Sequence, residues 1–316
     1  MGRLTAMRDD IFPNHPLPLP GDATFSLEKA RILAWAAQLA YEVDNTDKFK
    51  RIAGRWQWAC TGVFQQTPGA AAMLEGIKGY IVRAGDAAIL SFAGTEPDSL
   101  RAWDIDFHFV PGPDGISSGF GRALAAVQAR IEDLLGSLNG IPLYVTGHSL
   151  GGALAVVAAA RLPAKMRNNI RGVYTFGMPR PGNSLFAAGY HAPVGSSLGD
   201  RTYRFRHGDD IVPTVAPQIV GALHVGRLLH CPHGGTFDDP DTDIPGPERE
   251  ESVPRSALDA VRRSFASLWG ERLPAFPADD PSIATLIQAL PPPARDHVMD
   301  RYLLALKDPA FRALGA

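Results

Sequence analysis

An α/β architecture, with a mostly parallel central sheet covered by helices on both faces, is predicted by three features of the sequence. Strand-like runs alternate with helix-like runs through the middle of the chain. One of them, "PLYVT", is short and continuously apolar, as a strand buried between two helix layers must be. It runs through a glycine–serine turn straight into an alanine-rich helix, "LGGALAVVAAARL". The chain of 316 residues, 45% hydrophobic and 20% charged, is long enough to bury a sizeable core. Its formal net charge of -2 gives no electrostatic reason to expect nucleic acid as a partner.

Taken in order, residues 1–24 read as an extended N-terminal arm that ends in "PLPLPGD". Ser26 then serves as an N-cap, with Glu28 in the first turn of the helix "LEKARILAWAAQLAYEV". "GYIVRAGDAAILSFAGT" reads as two strands joined at Gly85-Asp86, a hairpin-type pair. "EPDSLRAWDIDFHFVPGPDG" follows, rich in large apolar residues but broken by prolines and acids. "SSGFGRALAAVQARIEDLLGSLNG" is a long amphipathic helix that stops at Asn139-Gly140. "RGVYTFGMP" and "RTYRFRHGDD" are further strands ending in polar turns, where open parallel sheets collect functional groups. Residues 236–254 form an acidic, proline-rich surface loop, and residues 255–316 a helical C-terminal extension packing back on a domain at 25–235.

The N-terminus lacks the apolar stretch of a signal peptide, which leaves a cytoplasmic location or export by another route. The run Ile141 to Ala160 has roughly the length of a membrane span, but "TGHS" and several glycines interrupt it, so no transmembrane segment is expected. Gly147-His148-Ser149-Leu150-Gly151 has the form G-x-S-x-G instead, a sharp strand-to-helix elbow that exposes a nucleophilic serine. The backbone N–H of Leu150 then points at the reacting carbonyl.

A serine hydroxyl needs an imidazole base, and the imidazole needs an acid to orient it. His148 is set aside as the base, because adjacent side chains diverge on such a turn. In elbows of this kind the acid and then the histidine follow the serine along the chain. Asp210 at a strand end, followed by His224, fits that order, with Asp209, His207 and His230 as rivals. His297, in "PARDHVMDRYLLAL", reads as a surface or packing histidine on a helix.

"GHSLGG", "DDIVPTVAP" and "HVG" together resemble the class 3, fungal-type lipases of the α/β-hydrolase fold, over roughly Phe25 to Gly226. The resemblance implies a triad of Ser149, Asp210 and His224, with the oxyanion held by Thr95 of "ILSFAGTEP" and by Leu150. It implies a triacylglycerol lipase or carboxylesterase that needs no cofactor, takes lipid or ester substrates and touches the lipid–water interface transiently. Phospholipase and feruloyl esterase activities also occur in the family. Trp103, Ile105 and Phe107 would line or gate an acyl pocket, at the position where similar lipases carry a lid.

Two clusters invite a metal reading. His224, His230, Cys231 and His233 match no closed zinc spacing. Asp239, Asp241 and Asp243 are spaced like calcium-loop ligands, but Ile244 and Pro245 replace the required turn glycine. No metal is expected at either.

Overall fold

In the computed structural model, residues 7–66, 77–94, 110–138, 140–192, 197–214, 221–238, 243–244 and 295–308 are described. Among the described residues, eight strands form one sheet whose spatial order follows the chain, β1 (Ala59–Gln65), β2 (Lys78–Ala84), β3 (Ala87–Phe92), β4 (Leu143–His148), β5 (Ile170–Phe176), β6 (Thr202–His207), β7 (Arg227–Cys231) and β8 (Asp243–Ile244). The strands from β3 to β7 pair in parallel, while β1–β2–β3 and β7–β8 pair antiparallel. The sheet is therefore mostly parallel, with antiparallel edges.

Alternation along each central strand divides the core into two layers. On β2, Tyr80 and Val82 face one side and Ile81 the other. Ile89 and Tyr144 share the first side, Leu90 and Val145 the second. Helix α1 (Leu27–Leu39) packs with Trp35, Trp56 and Phe12 on the first layer. Its N-cap is Ser26, whose hydroxyl accepts from the Lys29 N–H. Helices α3 (Ser118–Gly136) and α4 (Leu150–Arg161) cover the second. Every residue of α4 from Leu150 to Ala159 is buried, which accounts for its continuous apolar sequence. Among the described residues, no helix is long and apolar enough to cross a membrane.

Several elements have no counterpart in the sequence reading. Helix α2 (Thr46–Arg55) is capped by Asn45 and buries only Lys48, Phe49, Ile52 and Ala53. Strand β1 is an edge strand with a mostly exposed pattern. Strand β7 runs through the histidine-rich stretch considered for metal. Part of the expected surface loop at 236–254 is strand, since Asp243–Ile244 add an edge to β7. Short helices α5 (Ala164–Arg167) and α6 (Ser184–His191) connect the later strands. Helix α7 (Met299–Ala305) packs on α1 and β6, whereas residues 245–294 lie outside the described residues.

Candidate active site

Strand β4 delivers Ser149 at its carboxyl end, and α4 begins with the next residue. Ser149 has φ +57° and ψ -132°, a conformation that costs a non-glycine residue roughly 1–3 kcal/mol. Two bonds hold it there. The Ser149 N–H donates to the Phe176 carbonyl at 2.8 Å, and the Gly152 N–H donates to the Ser149 carbonyl at 2.9 Å. The flanking glycines are required by space. A Cβ on Gly147 would stand 2.2 Å from the Gly151 carbonyl oxygen, and one on Gly151 2.4 Å from the Phe92 carbonyl oxygen.

The histidine that meets Ser149 is His297, and the assignment of the base to His224 is corrected. His297 Nε2 lies 2.9 Å from Ser149 Oγ, and its Nδ1 lies 2.9–3.0 Å from both carboxylate oxygens of Asp210. Asp210 is acceptor-only when ionised, so Nδ1 carries the proton and Nε2 is left to accept from the serine hydroxyl. His224 is committed elsewhere, donating from Nε2 to the Pro213 carbonyl at 2.8 Å. Burial, reinforced by Arg204 and Arg180, pushes its pKa well below the usual imidazole value. Nor is His297 the surface or packing histidine that its helical context implied. It sits in the turn just before α7 and is 7% exposed.

Docking of the terminal segment brings His297 across the molecule. Trp35 Nε1 donates to Asp308, Arg31 Nε donates to the Leu306 carbonyl at 2.6 Å, and the Phe237 N–H donates to the Ala305 carbonyl. These bonds fasten the residues around α7 to α1 and to the segment after β7.

Asp210 follows β6 and is fully buried. Besides His297 it accepts the Tyr302 hydroxyl at 2.5 Å and the Val212 N–H at 2.9 Å. Burial alone would raise its pKa. The charge and hydrogen bond of His297, with the Tyr302 and Val212 bonds, instead hold it below the usual carboxylate value. Tyr302 escaped the sequence reading; the signal available was an aromatic residue five positions beyond His297 of "DH".

His148 is a partner of His297 rather than of the serine. The two rings stack with centroids 4.7 Å apart. His148 Nε2 donates to the His297 carbonyl at 2.8 Å, which leaves Nδ1 to accept from the Tyr41 hydroxyl at 2.7 Å. Burial, then repulsion from His297, lowers the His148 pKa to about 3, so this ring is neutral. Tyr41 lies in the single 3₁₀ turn that continues α1.

Of the remaining candidates, Leu150 stands at the N-terminus of α4, where helix N–H groups are free of intrahelical partners. Thr95, Trp103, Ile105 and Phe107 lie outside the described residues, as do Asp239 and Asp241. The rival His207 has Nδ1 3.6 Å from Asp296, and His230 Nε2 donates to the Gly208 carbonyl. The rival Asp209 gives its backbone N–H to Asp296. The cluster once suggestive of zinc points in four directions: His224 to Pro213, His230 to Gly208, His233 to Asp296, and Cys231 into the core. Among the described residues, no group of three or more His, Cys, Asp or Glu could hold a metal ion.

Residues 89–220 match the family model described as lipase (class 3). A secreted mono- and diacylglycerol lipase of Fusarium solani is 33% identical over 161 residues, covering 47% of this chain and 46% of that protein. A lipase of Rhizopus niveus is 33% identical over 168 residues, covering 49% of this chain and 41% of that protein. The chain thus spans less than half the length of these curated relatives. Among solved structures, the mono- and diacylglycerol lipase of Aspergillus oryzae matches with a TM-score of 0.52 at 22% identity, covering 70% of this chain and 86% of that one. Lipase II from Rhizopus niveus matches with a TM-score of 0.52 at 23% identity, covering 72% of this chain and 87% of that one. The likeness to these structures is one of fold. By its matched segment the chain is similar to the class 3 lipases, and its fold is that of the α/β-hydrolases.

Proposed function

We propose that this protein hydrolyses carboxylic esters, acylglycerols foremost, through an acyl-serine intermediate. The observation that carries this reading is the line of hydrogen bonds from Ser149 Oγ through His297 to Asp210. Ser149 Oγ attacks the ester carbonyl carbon while its proton passes to His297 Nε2. The tetrahedral intermediate collapses by breaking the bond to the alcohol oxygen, which leaves with the proton from Nε2. Water then gives a proton to Nε2 and attacks the acyl carbon, and a second collapse releases the acid and restores the serine. Asp210 keeps the imidazole in the right tautomer and stabilises its charged form. The developing oxyanion is assigned to the Leu150 N–H at the start of α4 and to Thr95, whose role rests on the family resemblance. Trp103, Ile105 and Phe107 are assigned to the acyl pocket or its cover on the same basis. Acylglycerol as substrate draws on the names of the similar proteins, two of which are described as mono- and diacylglycerol lipases.

The test is hydrolysis of p-nitrophenyl esters from acetate to palmitate, and of a long-chain monoacylglycerol, by the wild type and Ser149→Ala in parallel. Turnover of palmitate and monoacylglycerol that disappears in Ser149→Ala supports the reading. Turnover confined to the shortest chains makes the protein an esterase of soluble substrates. Equal rates in the two proteins overturn the nucleophile.

A further inference from the structure

Beside the proposed triad, a second buried carboxylate ties together the two segments that carry its acid and its base. Asp296 immediately precedes His297 and is fully buried. One of its oxygens, Oδ2, accepts the backbone N–H of Asp209 at 2.9 Å, and Asp209 immediately precedes Asp210. The residue before the base therefore binds the residue before the acid. Both oxygens also lie 2.9 Å from Nδ1 of His233, in the segment after β7, whose side chain is half-exposed. His207 closes the inner side, with Nδ1 3.6 Å from the carboxylate.

The contact is built into the backbone. Gly208 has φ +51°, and a Cβ there would stand 2.2 Å from Asp296 Oδ2, so the carboxylate occupies the space that a side chain at this turn would need. The same turn is closed by the Gly208 N–H on the Cys231 carbonyl and the Asp210 N–H on the His207 carbonyl. A carboxylate deprived of water is costly unless its acceptors are filled, and here the filling groups are the Asp209 N–H and His233.

We propose that Asp296 is a positioning residue, a clasp that fixes the separation of His297 from Asp210, with His233 as its outer partner. It touches no reacting atom. It acts because proton transfer through Ser149, His297 and Asp210 tolerates little displacement, and a misplacement of about 1 Å can cost on the order of 10²-fold in rate. The inference rests on His297 being the base, and its test separates the two.

Asp296→Ala, Asp296→Asn and His297→Ala are compared with wild type. The readouts are kcat and KM on p-nitrophenyl butyrate, the rate of Ser149 phosphorylation by paraoxon, and Tm, with assays well below each Tm. Asp296→Ala should lower kcat and the paraoxon rate by about 10²-fold, with KM within about threefold. Asp296→Asn, which keeps an oxygen for the Asp209 N–H, should recover to about tenfold below wild type. A folded Asp296→Ala with kcat within about twofold of wild type overturns the clasp. If Asp296→Ala does not fold, Asp296→Asn decides, and kcat within about twofold of wild type again overturns it. Full activity in His297→Ala instead removes the base assignment and the clasp with it.

Discussion

His148 and His297 stack face to face, and the two rings are committed to different work. His148 is spent on both nitrogens, donating to the His297 carbonyl and accepting from Tyr41, and its lowered pKa keeps it neutral. The proton traffic is left to His297, which gives the sharpest residue-level expectation. His297→Ala should lower kcat for p-nitrophenyl butyrate by on the order of 10⁴-fold or more, while His224→Ala, assayed beside it, should keep most of the activity. The reverse result would restore His224. Ser149 and Asp210 were legible because each sits in a local pattern, an elbow and a strand-end turn, that the backbone must form wherever it occurs. His297 was not, because its place depends on docking a segment 87 residues beyond Asp210. "HVG" drew attention to the wrong imidazole, since position along a chain does not say which ring nitrogen is already bonded to a carbonyl. Tyr302 was hidden for the same reason.

At the scale of elements, the elbow shows how closely β3, β4 and α4 meet. The Cβ of an alanine at position 151 would stand 2.4 Å from the Phe92 carbonyl oxygen and 2.8 Å from the Ala93 carbonyl, so α4 or the end of β3 would have to shift. Gly151→Ala should therefore cost several kcal/mol, measured by denaturant unfolding, and should lower kcat along with stability as α4 moves away from Ser149. An unchanged unfolding midpoint would mean that the helix tilts without penalty. Helices α1 and α3 were readable because their apolar residues recur at helical spacing, and the central strands and α4 because their apolar runs are continuous, as elements buried on every side require. Strand β1 was not, being a largely exposed edge interrupted by Gly62, and α2 offers too few apolar positions to mark a face. Strand β7 was masked by its own histidine and by those around it, which read as chemistry when they serve as hydrogen-bond donors to loops.

For the whole molecule, burial of ionisable groups sets how stability responds to pH. His148, His207 and His224 all have pKa values lowered mainly by burial, so the unfolded chain binds more protons than the native one below about pH 6.5. Their contribution is complete above the unfolded value and is lost as pH falls, and the lowered pKa of Asp210 works in the same direction at lower pH. Asp300 opposes them. Burial raises its pKa to about 6, so the native state holds a proton that the unfolded chain has released, and stability is lost as pH rises from about 4 to 6. Asp300→Asn should accordingly raise the unfolding free energy at pH 7 by up to about 3 kcal/mol and leave it unchanged near pH 3. An equal effect at both pH values would show that packing, not charge, governs the site. Strand order bears on assembly as well. Each described strand lies beside its neighbour in the chain, so the sheet can grow by closures no longer than the Phe92-to-Leu143 connection, whereas Ser149 and His297 are joined across 148 positions. Contacts distant in sequence carry the larger loop-closure entropy and form late. In a refolding experiment, ellipticity should recover ahead of ester hydrolysis, and quenching between the two should trap chains with a complete sheet and an idle serine.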